Sequence, residues 1–256
     1  MTAPLTVTLA GDADRPALHA TLASLPQDFR PVATGGDVLA VAGLDALTKA
    51  LADRPRGILL TGVTTGAPGR VHDLADRAAE AGVPVVVAAT WALNPALTAA
   101  TGTLRRDLGQ AALVELTATV PPGLPVLVDQ LALLRTALGP ATALELLQSD
   151  DHGHTAHARA GDVPVHLAAA VSPWGPARAR LSLLGPAAQW RVSFPDPATA
   201  SPADVVRSDA DGEHRLPALY ENAARASWRA LHAAVTEGAA PPYRLHDLAD
   251  DLRLLL

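Results

Sequence analysis

The run Gly57-Ile58-Leu59-Leu60-Thr61-Gly62 opens the part of the chain that decides the fold, which extends to Pro95. This run is apolar and bounded by glycines, as expected of a buried strand. Residues 71–81 repeat apolar positions at helical spacing, and Gly82 follows, a residue type that commonly ends helices. Residues 83–88 are apolar and β-branched again. The order strand, helix, strand predicts a right-handed parallel βαβ unit, typical of doubly wound nucleotide-binding folds.

Short apolar runs and helical patterns alternate over the first 120 residues. The predicted strands cover residues 5–10, 29–34, 38–41, 57–62, 83–88 and 111–120. The predicted helices between them cover residues 16–25, 44–52, 71–81 and 95–106. Such regular alternation favours a parallel sheet with helices on both faces. We therefore predict an α/β, Rossmann-like domain of the dinucleotide-binding type over residues 1–120.

Pro121-Pro122-Gly123 marks the predicted domain boundary. Beyond it, strand-like segments separated by Gly, Pro or Asp are typical of an antiparallel sheet. These strands cover residues 141–148, 163–171, 177–184 and 190–194, and predicted helices cover residues 126–138, 219–237 and 246–256. Residues 195–212 have the composition of a surface loop. We predict an α+β second domain over residues 121–256, serving substrate binding or oligomerisation.

The composition argues against several classes of function. The net charge is −6 and the basic residues are scattered, which argues against a nucleic-acid-binding face. The chain has no cysteine, so disulfides and thiolate metal sites are excluded. No apolar run approaches the roughly 20 residues of a membrane span, and no secretory signal is recognisable. We expect a cytoplasmic protein without nucleic-acid or membrane partners.

The segment Asp150-Asp151-His152-Gly153-His154-Thr155-Ala156-His157 is the densest cluster of potential metal ligands. In an extended segment His152 and His154 would project from one face together with Asp150, a spacing that suits Zn²⁺ or Ni²⁺. No further ligand is recognisable, and the zinc motif His-Glu-x-x-His is absent. A polar hairpin is therefore the preferred interpretation, and no metal site is predicted.

Residues 81–90 (AGVPVVVAAT), with Asn94-Pro95 soon after, resemble the glucose–fructose oxidoreductase/inositol dehydrogenase/rhizopine-catabolism family. Residues 131–139 and 221–242 are similar to later helices of that family, so the chain looks like a divergent, shortened member. The resemblance implies NAD or NADP as cofactor and a small sugar-like, carbonyl or imine substrate. The family typically carries Glu-Lys-Pro after the strand, where this chain has Ala88, Ala89 and Thr90. The only lysine, Lys49, falls on a predicted helix.

The resemblance also indicates which residues would form the site. The glycine loop is reduced to Gly11-Asp12-Ala13-Asp14-Arg15, with two carboxylates where a diphosphate should bind and Arg15 to offset them. The candidate cofactor-binding residues are Gly11, Asp12, Arg15, Thr61, Thr64, His72, Trp91 and Asn94. The candidate catalytic residues are Asp129, at the family's histidine position, and His166, which alternates with apolar residues. Each has a structural alternative: a hydrogen-bonded carboxylate near a helix start, and a satisfied structural histidine.

Three functions remain open from the sequence. The first is a divergent NAD(P)-dependent oxidoreductase. The second is a catalytically silent homologue that serves as partner subunit of an active relative. The third is a cofactor-independent isomerase, lyase or cyclase on the same scaffold. A homo-oligomer, or a hetero-oligomer with a related subunit, is expected because a sheet with one face free of helices must be covered.

Overall fold

The computed structural model describes residues 3–10, 15–62, 66–123 and 126–256, and of Arg15 only the backbone. The chain divides into two compact units. Unit 1 comprises Met1–Ala89 and Ala224–Arg253, and unit 2 comprises Thr90–Ala223 and Leu254–Leu256. The boundary predicted at residue 120 separates a cofactor-binding part from a substrate-binding part. The division into compact units does not test this functional assignment, which stays a prediction.

The secondary structure follows the predicted order closely. The helices are α1 Arg15–Ala23, α2 Gly43–Ala52, α3 Pro68–Glu80, α4 Pro95–Leu108, α5 Val126–Leu138, α6 Ala223–Glu237 and α7 Leu245–Arg253. The strands are β1 Leu5–Ala10, β2 Phe29–Pro31, β3 Val38–Ala42, β4 Gly57–Thr61, β5 Val85–Val87, β6 Leu113–Val120, β7 Ala141–Asp150, β8 Gly153–Ala160, β9 Val163–Val171, β10 Arg178–Leu184, β11 Ala188–Phe194, β12 Asp204–Asp209 and β13 Gly212–Arg215. Among the residues described, no helix is both long and apolar enough to cross a membrane.

Unit 1 is built on a five-stranded sheet in which every strand pair is parallel. Its order is β2-β1-β3-β4-β5, so the strand order reverses between β1 and β3. Gly82 follows α3 with φ +64°, a conformation that glycine adopts without strain. Helix α6 completes the core of this unit, because its Trp228 ring packs edge-on against Phe29 with centroids 5.1 Å apart. The Rossmann-like sheet predicted from the sequence is confirmed.

Unit 2 is built on an eight-stranded sheet of order β13-β12-β11-β10-β6-β9-β8-β7. Neighbouring strands are antiparallel except β6 and β9, which pair in parallel. The antiparallel second sheet is therefore confirmed, except for this one parallel pair. The assignment of residues 111–120 to the parallel sheet was wrong, because β6 pairs with β10 and β9 instead. An apolar strand pattern gives no information on which sheet the strand joins.

The two faces of the eight-stranded sheet differ in polarity. Leu116, Leu181 and Val192 point to the face on which α4 and α5 pack, and all three are fully buried. Their neighbours Thr117 and Arg180 point to the opposite face and are exposed, as the two-residue period of a strand requires. The face without helices is thus polar, and the oligomer predicted from an uncovered sheet stays a prediction.

Two elements of unit 2 differ from the sequence-based expectation. Residues 195–212 were predicted to be a surface loop, yet they contain β12, which pairs along its whole length with β11. Its Val205-Val206 core is too short to indicate a strand by itself, and pairing with a neighbour stabilises it. The hairpin expected around residues 150–157 is present, since β7 and β8 pair antiparallel, but alternate residues of β8 are buried rather than solvent-facing.

Candidate active site

Asp129 lies in the first turn of α5, and among the described residues Thr90 is the hydrogen-bond partner of its carboxylate. The Thr90 backbone N–H donates to Asp129 Oδ1 at 2.9 Å, and the Thr90 hydroxyl donates to Oδ2 at 2.5 Å. Thr90 follows β5 by three residues and occupies the position of the proline in the family's Glu-Lys-Pro sequence. The two residues are 39 positions apart in the chain, so only the fold brings them together.

The protonation of Asp129 is unusual. Its side chain is buried, and this desolvation raises its pKa from 3.8 to about 6, although the two hydrogen bonds from Thr90 act in the opposite direction. Desolvation dominates because no basic side chain offsets it among the causes of the shift. A carboxyl group with a pKa this close to neutrality can both release and accept a proton, which is what acid–base catalysis requires.

The next residue of α5, Gln130, forms a separate buried network with the sheet. Its Nε2 donates to the carbonyl oxygens of Leu116 at 3.1 Å and Ala168 at 2.9 Å. Gln130 Oε1 lies 2.7 Å from His154 Nε2, and because Oε1 can only accept, we assign the ring proton to Nε2. Burial lowers the pKa of His154, which favours the neutral ring. This network has a structural role.

His154 was considered from the sequence as a metal ligand beside His152 and Asp150, and the structure separates them. His152 lies in the turn before β8 and is exposed, and its N–H donates to Asp150 Oδ1 at 2.8 Å. His154 points into the core of unit 2. The expected common face fails because the turn interrupts the extended conformation. The alternation of His154 with Ala156, Ala158 and Ala160, all buried, was the sequence signal for its true position.

His166, the second candidate catalytic residue, is not brought together with Asp129. It lies on β9 between the buried residues Val165 and Leu167, so it points to the face opposite α5. Its neighbours in register are Glu115 on β6 and His157 on β8, with the two imidazole centroids 5.5 Å apart. A cavity of about 670 Å³ opens on the same polar face, lined by Thr117, Thr119, Arg178, Arg180 and other residues. Neither feature reaches Asp129.

The structure describes only some of the candidate cofactor-binding residues. Gly11, Asp12 and Thr64 lie outside the described residues, and Arg15 begins α1. Thr61 ends β4, where its hydroxyl donates to the Val41 carbonyl oxygen at 3.1 Å. His72 is exposed on α3.

Two further candidates follow Thr90 closely. Asn94 is buried and caps α4, accepting a hydrogen bond from Ala96 N at 3.0 Å. Trp91 is only 2% exposed, and within the described residues its indole Nε1 has no hydrogen-bond partner. A buried donor without an acceptor costs about 1–3 kcal/mol, and the Trp91 ring belongs to the hydrophobic core of unit 2.

Asp37 is the first carboxylate after the predicted second strand, where dinucleotide folds place the acidic residue that binds the ribose hydroxyls. It immediately precedes β3, and therefore lies at the amino end of a parallel strand, whereas α/β sheets bind ligands at the carboxyl ends. Its carboxylate accepts hydrogen bonds from the Thr6 N–H and hydroxyl at 2.8 and 2.7 Å, and these bonds lower its pKa. Asp37 is thus committed to the sheet. Lys49 lies exposed on α2, as predicted, and is no substitute for the missing lysine.

Comparison with known proteins finds no matching family model and no matching curated protein. Solved structures do match. A lysine-to-glutamate variant of KijD10, a 3-ketoreductase from Actinomadura kijaniata in complex with TDP-benzene and NADP, has a TM-score of 0.73 at 17% identity over 98% of this chain and 96% of that one. An oxidoreductase from Sinorhizobium meliloti has a TM-score of 0.77 at 11% identity, over 99% and 96% of the two chains.

UDP-N-acetylglucosamine 3-dehydrogenase GnnA from Acidithiobacillus ferrooxidans matches with a TM-score of 0.75 at 11% identity, again over 99% and 96% of the chains. The chain has the fold of these oxidoreductases. The fold class expected from the sequence is confirmed along essentially the whole chain. At these identities the likeness establishes the architecture alone, and it extends to both sheets.

Proposed function

We propose that this chain is a divergent NAD(P)-dependent oxidoreductase that acts on a small sugar-like, carbonyl or imine compound, with Asp129 as its acid–base residue. The observation that carries the proposal is the buried Asp129–Thr90 pair, with the pKa of Asp129 raised to about 6. Thr90 of this pair lies shortly after β5, the strand after which the family that the sequence resembles places its lysine.

Two features at the carboxyl edge of the parallel sheet support dinucleotide binding. The strand order reverses between β1 and β3, which is where such folds bind their ligands. Gly43 follows β3 with open space at its side-chain position, and Gly62 follows β4 with only the Ala42 methyl group 4.0 Å away. Residues 11–15 with Thr61, Thr64 and His72 would hold NAD(P), which when bound supplies or accepts a hydride.

Asp129 and Thr90 would provide the proton that must accompany the hydride. When Asp129 is protonated, its O–H can donate to Thr90 Oγ1, and the Thr90 hydroxyl can then donate its own proton outwards. When Asp129 is ionised, the Thr90 hydroxyl donates to Asp129 Oδ2, which corresponds to the 2.5 Å hydrogen bond in the structure. Thr90 would thereby relay a proton from a carboxyl group that is itself almost inaccessible.

Two arguments from the solved structures support cofactor binding. KijD10 is a 3-ketoreductase captured with NADP, and its lysine-to-alanine variant also holds NADP and TDP-benzene at 17% identity to this chain. Loss of a lysine is therefore compatible with cofactor binding in that protein. A nucleotide sugar or a related ketone is accordingly the first substrate class to test here.

The test is a calorimetric titration with NAD⁺, NADH, NADP⁺ and NADPH, followed by turnover assays on ketones and nucleotide sugars between pH 5 and 8. We expect saturable binding in the micromolar range. Asp129→Asn should bind the cofactor as the natural chain does but lose about 10²-fold or more in turnover. Asp151→Asn, which changes an exposed carboxylate in the β7–β8 turn, is the matched control. The absence of binding at millimolar cofactor would contradict the proposal.

A catalytically silent partner subunit is the second candidate, and a specific observation favours it. Both oxygens of Asp129 are already satisfied by Thr90, and the carboxylate of Asp37 is committed to Thr6. Co-purification with a full-length relative, together with no cofactor binding, would identify this function. Turnover of a substrate without any cofactor would instead identify the isomerase, lyase or cyclase alternative.

A further inference from the structure

A group of metal-ligand side chains lies where α3 and α7 pack together in unit 1. His72 and Asp76 are four residues apart on α3 and so share one face of that helix. His246, the second residue of α7, reaches the same carboxylate although it is 170 positions away in the chain. The two imidazole rings are nearly perpendicular, with centroids 4.9 Å apart. Two imidazoles thus converge on one carboxylate between two helices.

The donor atoms are spaced as a cation would need them. His246 Nε2 lies 3.2 Å from Asp76 Oδ1, and His72 Nε2 lies 3.8 Å from Asp76 Oδ2. One ligand atom from each of the three residues lies within 4.8 Å of the others. Two ligands of a tetrahedral zinc ion, each at about 2.0–2.2 Å, are roughly 3.3–3.5 Å apart. The carboxylate distances lie close to this value, so small side-chain rotations would complete three coordination bonds.

The geometry points to a binding site for a divalent cation of the zinc class, formed by His72 Nε2, the Asp76 carboxylate and His246 Nε2. Two imidazoles and one carboxylate form a donor set that zinc accepts, and they leave a fourth position for water. The side chains are 43–56% exposed, so an ion can enter from solvent. Ion pairing explains the convergence of the three side chains less well than metal binding does, because exposed ion pairs contribute little stability.

The site would add a metal-dependent link between α3 and α7 within unit 1. The segment before α7 already contacts the parallel sheet, where the Val87 N–H donates to the Tyr243 carbonyl oxygen at 3.4 Å. A cation shared by α3 and α7 adds a second attachment that depends on metal concentration. Because an ion that binds only the folded state stabilises it by mass action, Zn²⁺ should raise the midpoint of thermal unfolding. Of the three ligands, only His72 is also among the residues proposed above to hold NAD(P).

The experiment uses the full-length chain without an affinity tag, stripped with chelator and titrated with Zn²⁺ by calorimetry and with Co²⁺ by visible absorption. We expect one ion per chain, an absorption spectrum of tetrahedral Co²⁺, and a higher unfolding temperature with Zn²⁺. His72→Ala and His246→Ala should each weaken binding by more than roughly tenfold, since even residues behind a ligand contribute that much. His19→Ala, on exposed α1, should bind as the natural chain does.

Two results would overturn the inference: no saturable binding at millimolar Zn²⁺, or affinity that both histidine variants retain. Circular dichroism in chelator establishes that the variants fold, which we expect because these side chains are half exposed. If one variant fails to fold, the other decides, because His72 and His246 lie on different helices. A pair that merely interacts electrostatically would give neither the Co²⁺ spectrum nor a metal-dependent unfolding temperature.

Discussion

Two adjacent residues of α5, Asp129 and Gln130, belong to separate hydrogen-bond networks in unit 2. Asp129 holds a carboxyl group whose pKa is raised to about 6 by burial, and Gln130 binds a histidine whose pKa burial lowers. Asp129 could be selected from the sequence because the resemblance placed it at a catalytic position. Its partner Thr90 was read only as a departure from the family pattern. Gln130 was missed entirely, because a buried glutamine within an apolar helix has no local signal of its contacts.

The raised pKa of Asp129 predicts a specific dependence of stability on pH. The folded chain binds this proton more tightly than the unfolded chain, so the stabilising contribution is complete below about pH 4. It is lost as the pH rises through about 6, which reduces the free energy of unfolding by on the order of 3 kcal/mol. Asp129→Asn cannot ionise and should lack this decrease. Urea unfolding at pH 4, 5, 6 and 7 measures it, and parallel curves for the two proteins would refute it.

Removal of the Gln130 amide should be costly. Gln130→Leu leaves the buried Nε2–H of His154 without its acceptor and deprives two sheet carbonyls of a donor. We expect a loss of about 3 kcal/mol in the free energy of unfolding. Gln148→Leu, at an exposed position of β7, should change it by about 0.5 kcal/mol or less. Equal losses in the two variants, by urea titration, would show that the network contributes nothing.

At the scale of elements, the sequence predicted those with a strong period and missed those that depend on neighbours. The bounds of β1, α5 and β9 agree with the predicted ranges, because long apolar patterns and the Gly139-Pro140 stop are local signals. The sheet that β6 joins and the existence of β12 depend on strand pairing, which no local pattern contains. The two proposed sites could not be predicted for the same reason, since Thr90–Asp129 and His72–His246 are contacts between distant segments.

Gly153 should tolerate no side chain at the start of β8. Its φ is +144°, and a Cβ there would lie 1.9 Å from the Ala169 carbonyl oxygen on β9. Gly153→Ala must therefore separate the paired strands, and we expect a loss of more than about 3 kcal/mol. Gly212→Ala, at φ +120° with open space around it, carries the backbone strain without the clash. Thermal unfolding should rank Gly153→Ala well below Gly212→Ala, and an equal ranking would contradict this account.

At the scale of the whole molecule, both sheets and their order along the chain correspond to those of solved oxidoreductases, although identity is only 11–17% for the structures compared. The glycine loop and the lysine of the family that the sequence resembles are not recognisable in this chain, whereas the architecture matches. An architecture is maintained by the pattern of apolar residues, whereas chemistry depends on individual side chains. This difference explains why the fold could be predicted and the reaction could not.

Oligomerisation remains a prediction for the intact molecule. The open face of the eight-stranded sheet is polar, and apolar residues are instead exposed at Leu146, Leu147 and Trp174, the last with 93% exposure. We expect a dimer or tetramer that covers part of this surface. Light scattering at micromolar concentration measures the mass, and Trp174→Ser should shift the equilibrium toward smaller species. A mass of 26.3 kDa at all concentrations would refute the prediction.

The discontinuity of unit 1 has a consequence for biosynthesis. Its first 89 residues leave the ribosome before unit 2 is made, yet Trp228, which packs on Phe29, belongs to residues 224–253. At roughly 5–20 residues per second, the nascent parallel sheet must wait several seconds or longer for the helix that completes its core. The eight-stranded sheet is continuous in the chain and can fold first. The first 89 residues are thus the part of the chain whose apolar surface stays uncovered longest during translation.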